Sequence, residues 1–217
     1  MRNSFSPALG PGTRLFNAVI GSQGAEVNII FRKFGTGPCE KTEIIFGFYR
    51  TVFGEALIAE TGWGLCFVHP GNDREEALKA LASAFKNNKL KARAGTFAAQ
   101  AAQFFSQPNQ PQIITLHVKG TEFQIRVWQT LLQIRQGCRM TYGEIAGMLG
   151  DKKAARAVGA AVAANKVAYF IPCHRVVTSS GSSAGFRWGR PLRQQMLKWE
   201  DENFVCHQPE LFSGDKF

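Results

Sequence analysis

The 217-residue chain has no apolar run approaching the roughly 20 residues that a membrane-spanning helix requires. Its opening residues, Met1-Arg2-Asn3-Ser4, are polar and are soon interrupted by Pro7, Gly10, Pro11 and Gly12. They lack the continuous apolar core of a secretory signal, so an intracellular protein with no membrane partner is expected. Cysteine is scarce: Cys39, Cys66, Cys138, Cys173 and Cys206. The number is odd, the spacings are wide and no CxxC pair occurs. Neither a disulfide framework nor a zinc site is suggested, and each cysteine must be judged by its neighbours. No internal repeat is present.

Acidic residues are few where basic ones are dense. The chain carries a formal net charge of +10. From Lys119 to Glu200 there are 13 Lys/Arg against 4 Asp/Glu, while residues 1–118 hold 12 against 8. The residues after Glu200 reverse the balance, with 1 against 4. Positive charge gathered in one stretch fits a phosphate-binding surface, and fits equally a merely solvated basic face.

Residues 1–40 are rich in Gly, Pro and Ser and read as a flexible lead-in. Strand patterns follow: Glu43 to Tyr49, then Ala56 to Ala59 and Leu65 to Val68 around a hairpin turn, Glu60-Thr61-Gly62-Trp63-Gly64. Asn72-Asp73-Arg74-Glu75-Glu76 signals a helix start, and apolar residues recur at helical spacing to Phe85. A second helix is predicted from Thr96 to Phe105, broken by Pro108 and Pro111, and a last strand from Ile113 to Val118. Gly120-Thr121 opens a helical regime in which Thr121 caps a helix carrying Phe123, Val127, Trp128, Leu131 and Leu132. The expected class is α+β. It comprises an N-terminal, three-layer-like domain (41–118) with a small, mostly antiparallel sheet, a mostly helical domain (119–205) and a tail (206–217).

Within the helical half, Thr141 to Leu149 reads as a short helix, Gly150-Asp151 as a turn, and Lys152 to Ala164 as a second helix. This is the helix-turn-helix pattern, in a winged-helix-like setting. The second helix is nearly bare: Ala154, Ala155, Ala157, Gly159, Ala160, Ala161, Ala163 and Ala164, with Arg156 its one long polar group beyond the first turn. A bare helix cannot read base edges, but it can approach a narrow groove closely. It could equally be an Ala-rich helix packed inside the fold.

The most informative run is Phe170-Ile171-Pro172-Cys173-His174-Arg175-Val176-Val177. A cysteine beside His and Arg has cationic neighbours, which favour thiolate, the nucleophilic form. Neighbouring side chains rarely hydrogen-bond directly, so His174 would act on Cys173 through a water. It would need an orienting acceptor from a short list: Glu122, Glu144, Asp151 and Glu200. Two isolated residues of this kind could also be a buried cysteine beside a surface histidine. Adjacent ligands suit a metal poorly, and no metal site is expected.

Pro172-Cys173-His174-Arg175-Val176-Val177 resembles the active-site motif of the O6-alkylguanine-DNA alkyltransferases. Arg156-Ala157-Val158-Gly159 and Asn165 resemble that family's recognition helix and hinge. Tyr142 stands where the family has its helix-turn-helix tyrosine, and Glu200, 27 residues after the cysteine, where it keeps its glutamate. The similarity spans roughly residues 42–200. It is especially marked to the C-terminal repair domain of the bacterial adaptive-response regulator, as in Ala163-Ala164-Asn165-Lys166 and Gly185-Phe186-Arg187-Trp188-Gly189.

The resemblance implies a monomer that binds double-stranded DNA carrying O6-alkylguanine, flips the nucleotide and moves the alkyl group irreversibly to Cys173, without a cofactor. O4-alkylthymine is a second possible substrate. It implies that Glu200 orients His174, His174 takes the thiol proton, Asn165 holds the turn, and Tyr142 donates to the purine. The pocket would use Tyr142, Pro172, Val176, Phe186 and Arg187. DNA would be met by Arg156, Gly143, Asp151, Lys152, Lys153, Ala154, Gly159, Arg175 and Ser179. The location would be cytoplasmic and nucleoid-associated in a bacterium, nuclear in a eukaryote. Two departures stand out. Lys166 replaces the proline that many relatives have after the hinge asparagine. Arg187 and Trp188 replace small residues of permissive members, which implies a narrow pocket favouring methyl over benzyl. No gene regulation is assigned, because residues 1–40 are too few for the regulator's upstream modules. Three rivals are disfavoured: a lesion-flagging relative lacks the acceptor cysteine, a transcription factor would not bare its recognition helix, and a cysteine hydrolase would show an oxyanion-hole signature.

Overall fold

The structure is a computed structural model that describes residues 13–16, 27–33, 42–107, 112–180 and 185–206. Seven strands make one sheet: β1 (Thr13–Phe16), β2 (Val27–Lys33), β3 (Ile44–Thr51), β4 (Gly54–Thr61), β5 (Gly64–Pro70), β6 (Leu90–Ala92) and β7 (Gln112–Val118). Their spatial order is β1-β2-β7-β5-β4-β3-β6. The α+β class holds, with a sheet that is mixed rather than mostly antiparallel. Three neighbouring pairs are antiparallel and three are parallel. The parallel pairs arise because β6 and β7 return after helical crossovers, which bring a strand back in the same direction. The lead-in of the sequence reading contributes β1 and β2, and β2 pairs with β7 along its whole length.

Alternation along β4 builds two layers on the sheet. Leu57 and Ala59 face helix α1 (Arg74–Ala84), packing with Ala77, Leu81 and Phe85. Ala56 and Ile58 face the other way, toward Ala98, Ala101, Phe104 and Phe105 of α2 (Thr96–Ser106) and the helical half. Asp73 caps α1 by accepting from the Glu76 N–H at 2.9 Å. Helix α2 begins at Gly95 without such a cap. Its free N–H groups at Thr96 and Ala98 donate instead to Glu60 at 3.1 and 2.6 Å. Glu60 is therefore a buried strand residue rather than part of the hairpin turn, which shrinks to Gly62-Trp63.

The second half holds α3 (Glu122–Leu131), α4 (Tyr142–Met148), a 3-10 turn (Lys152–Ala154), α5 (Ala155–Ala163) and α6 (Arg190–Asn203). Thr121 and Thr141 both form capping boxes, with Gln124 and Glu144 respectively. The Trp128 indole donates to the Ala161 carbonyl at 2.9 Å, tying α3 to α5. Strands β8 (Met140–Thr141) and β9 (Val176–Val177) pair in parallel, which pins the start of α4 beside the end of the cysteine turn. The sheet grips the hinge as well. Val68 N–H donates to Lys166 O at 2.8 Å, and Ala168 N–H to Val68 O at 3.3 Å. A backbone bridge thus immobilises the position that proline stiffens in many relatives. Among the described residues no helix is long and apolar enough to cross a membrane.

One cysteine reading is corrected. Cys138 and Cys206 form a disulfide with Cα atoms 5.1 Å apart and a sequence separation of 68. Wide spacing hid the pair, because only the return of α6 beside the residue 137–139 loop brings the two together. Cys66 and Cys173 are free and buried, and Cys39 lies outside the described residues. Closing so long a loop restricts the unfolded chain, so Cys206→Ser is expected to lower stability by about 2–4 kcal/mol. Thermal unfolding in oxidised and reduced buffer measures this. Equal midpoints for wild type and variant in the absence of reductant would show that the link contributes nothing.

Candidate active site

Cys173 opens a short 3-10 turn, Cys173–Arg175, that follows a tightly folded hinge. Within the hinge Tyr169 adopts φ 67°, a left-handed conformation unusual for a non-glycine residue. Asn165 holds the segment from inside. Its Oδ1 accepts from Val167 N–H at 2.8 Å, and its Nδ2 donates to Ile171 O at 3.0 Å and to the Cys173 sulfur at 3.1 Å. The hinge asparagine thus touches the nucleophile itself, beyond shaping its turn.

Behind the cysteine lies a fully buried ionic group. His174 Nε2 is 2.7 Å from Glu200 Oε1. Arg175 donates to the same carboxylate from Nε at 3.0 and 3.1 Å and from Nη2 at 2.7 Å, and its Nη1 donates to Ile134 O. Burial alone would raise the Glu200 pKa, but the charge of Arg175, then His174 and the hydrogen bonds, hold it well below the usual carboxylate range. Burial lowers the His174 pKa against the pull of Glu200, so the imidazole is neutral near physiological pH. Its Nδ1 is buried with no hydrogen-bond partner. With Nε2 as the donor to Glu200, Nδ1 is the ring atom left to accept a proton.

The electrostatics correct the expectation of a resting thiolate. Burial pushes the Cys173 thiol up to about 11, and the Asn165 hydrogen bond only partly opposes this. The two cationic neighbours read from sequence do not help: His174 is uncharged and Arg175 is engaged by Glu200. The thiol is therefore protonated at rest and needs a base.

The Cys173 sulfur borders a cavity of about 260 Å³ lined also by Tyr142, Gly159, Val162, Ala163, Val176, Phe186, Arg187, Trp188 and Arg193. Four of the five pocket residues expected from sequence are here. Pro172 is buried and is not among the lining residues. The ring of Tyr142 packs on α5, where a Cβ added at Gly159 would stand 3.8 Å from it. Burial raises the phenol's pKa, so it stays a proton donor. Phe186 and Trp188 stack edge to face at 5.3 Å, and Trp188 leans on His69 of β5 at 6.4 Å. Arg187 Nε donates to Ala163 O at 3.3 Å, closing the wall against the end of α5.

The residues expected to meet DNA divide. Gly143, Asp151, Lys152, Lys153, Arg156 and Ser179 are exposed, while Ala154 and Gly159 are partly so. Helix α5 buries Val158, Ala161 and Val162 and turns Arg156, Ala157, Ala160 and Ala163 to solvent, so its bareness belongs to an outward face. Arg175 is a correction. It is 1% exposed and fully engaged, so it cannot reach a phosphate. Sequence reading missed Arg193, a buried guanidinium on the cavity wall. The available signal was Arg193, Met196 and Glu200 at helical spacing, which form the inward face of α6.

Residues 122–202 match the family model of the 6-O-methylguanine DNA methyltransferase DNA-binding domain. The regulatory protein ada of Salmonella typhimurium is 34% identical over 173 residues, covering 78% of this chain and 48% of that protein. The chain thus spans about half that relative's length. The methylated-DNA–protein-cysteine methyltransferase of Debaryomyces hansenii is 33% identical over 175 residues, covering 73% of this chain and 92% of the relative. The crystal structure of Mycobacterium tuberculosis OGT in complex with DNA superposes with a TM-score of 0.61 at 28% identity, covering 74% of this chain and 94% of that one. With 33% identity over 92% of the Debaryomyces hansenii protein, and a cavity-lining cysteine backed by a buried imidazole and carboxylate, the chain belongs to the methylated-DNA–protein-cysteine methyltransferase family.

Proposed function

We propose that this chain repairs DNA by direct, single-use transfer of an alkyl group from O6-alkylguanine to Cys173. The observation that carries this reading is a buried sulfur on a cavity wall, hydrogen-bonded by Asn165 at 3.1 Å and backed by a neutral imidazole bound to a carboxylate. The bare outward face of α5, with Arg156 and the adjacent lysines, supports a minor-groove approach held by phosphates rather than base edges. Chemistry on a stacked base requires extrusion, which takes a few kcal/mol of stacking and pairing. Arg156 would fill the vacated place, and Tyr142 would crowd the rotated nucleotide.

In the cavity the thiol proton passes to Nδ1 of His174, through a water, and the imidazolium is stabilised by Glu200. The sulfur attacks the alkyl carbon in line. The S–C bond forms as the C–O6 bond breaks, and the electron pair goes to the purine. Tyr142 donates a proton toward N3, and the restored guanine departs. The protein gains one methylene for a methyl lesion, and no cofactor enters. A thioether does not reverse by thiol exchange, so each chain acts once as a monomer on one lesion. Phe186, Arg187 and Trp188 give the cavity large walls, which favours methyl over benzyl.

Intact-mass analysis after incubation with O6-methylguanine duplex DNA tests the reading. One methylene is expected on the peptide holding Cys173, and none with Cys173→Ala. The parallel reaction with free O6-benzylguanine should be far slower. Unmodified wild-type protein would exclude transfer, and equal rates with the two substrates would exclude the narrow pocket.

A further inference from the structure

Arg193 is 3% exposed, lines the cavity with Cys173 and Tyr142, and forms no ion pair with any carboxylate of the described residues. Its guanidinium instead donates from Nε to His174 O at 2.8 Å and from Nη2 to Val176 O. A buried cation without a counter-ion is unfavourable unless a negative charge develops beside it. Glu200, seven residues along the same face of α6, is saturated by Arg175 and His174. Of the groups on this wall, the Cys173 sulfur is the one that must become anionic before the alkyl carbon is attacked; Tyr142 gives up its proton only as the purine leaves.

We infer that Arg193 is a positioning residue for the transfer, one that clamps the cysteine turn through the His174 and Val176 carbonyls while its uncompensated charge stabilises the Cys173 thiolate. The inference rests on the proposed alkyl transfer for its purpose, but not for its test. The groups facing the sulfur are few. Asn165 donates from the hinge, neutral His174 follows in the turn, and Tyr142 comes from α4. Arg187 lies on the loop before α6, and Arg193 on α6 itself. Glu200 lies beyond His174 and is neutralised. Arg187 is exposed and screened by solvent, whereas Arg193 is shielded. The same charge faces Tyr142 and favours release of its proton as the purine leaves. Val176 lines the cavity and its carbonyl accepts from Arg193, so the clamp also fixes part of the cavity wall.

The experiment separates charge from clamp. Arg193→Gln keeps a hydrogen-bond donor and removes the charge, whereas Arg193→Lys keeps the charge and loses the two-point grip. Full-length wild type and both variants are treated with iodoacetamide across a pH series, and Cys173 carboxamidomethylation is followed by peptide mass analysis. In this reaction the thiolate displaces iodide, and its proton goes to solvent. Arg193→Gln is expected to move the rate profile of Cys173 up by roughly one pH unit or more and slow it about tenfold near neutral pH. Arg193→Lys should restore most of the wild-type profile even if its Tm falls. An unmoved profile in Arg193→Gln, or an equal shift in both variants, would reduce Arg193 to a structural clamp. Should Arg193→Gln not fold, Arg193→Lys decides alone: a wild-type profile with lowered Tm supports the charge, and a displaced profile overturns it. Methyl transfer from DNA is not part of this readout. A failed repair assay with an intact Arg193 effect would therefore count against the proposed function alone.

Discussion

Replacing Glu200 by glutamine is expected to destabilise the fold by about 3–5 kcal/mol and to slow alkyl transfer by roughly 10²-fold or more. Glu200 is 0% exposed and is the shared partner of His174 and Arg175. Removing its charge leaves the Arg175 guanidinium buried without an anion, the most unfavourable way to alter such a group. It also removes the acceptor that keeps the proton on Nε2 of His174 and leaves Nδ1 free as base. Denaturant unfolding near neutral pH and single-turnover transfer measure the two effects. A variant that unfolds like wild type would mean that the buried ions contribute nothing net.

The pH dependence of that stability has a definite sign. The folded-state pKa of Glu200 lies below its unfolded value, so its contribution is complete above about pH 4.5 and is lost as pH falls toward the folded value. His174 is also depressed in the fold, by burial. Below about pH 6.5 the unfolded chain takes up a proton that the folded chain resists, and stability declines there too. Acid should therefore destabilise the wild type in two stages. Glu200→Gln should lack the lower one.

Asn165→Ala is expected to reduce transfer by roughly 10²-fold, the scale of losing one preorganised donor at a developing charge. It should also lower stability by about 1–3 kcal/mol, because the Val167 N–H is left buried without its acceptor, while the Ile171 carbonyl keeps only the bond from Cys173 N–H. Burial already holds the Cys173 thiol at about 11, and the Asn165 N–H is the strongest opposing influence. Its removal should push the alkaline limb of the rate profile further up. A slower variant with an unshifted profile would confine Asn165 to shaping the hinge.

Local chemistry made much of the helical half legible. Thr121 and Thr141 are followed three residues later by Gln124 and Glu144, and both pairs close capping boxes. Helix α1 starts within the signalled run 72–76, with Asp73 as its cap. The sheet was harder, because its parallel pairs join strands separated by helices and no local signal sets such neighbours. Strand β2, VNIIFRK, had an apolar run of its own, but Gly- and Pro-rich flanks outweighed it. Glu60 looked like a turn residue because a carboxylate in a strand rarely has a reason to be buried. Its reason is the uncapped start of α2, which is 36 residues away in sequence.

The sequence by itself determined which atoms can react. The Pro172-Cys173-His174-Arg175 run, Asn165, Tyr142 and Glu200 are covalent facts, and so is the sparseness of α5. Only the tertiary structure decided what charge each group carries. Charge depends on burial and on partners brought from distant segments, and proximity along the chain predicts neither. Arg175, next in line to His174, turns inward and neutralises Glu200 instead of reaching DNA. Arg193, twenty residues beyond the cysteine, is folded back to the cavity wall by α6 with no anion to meet it.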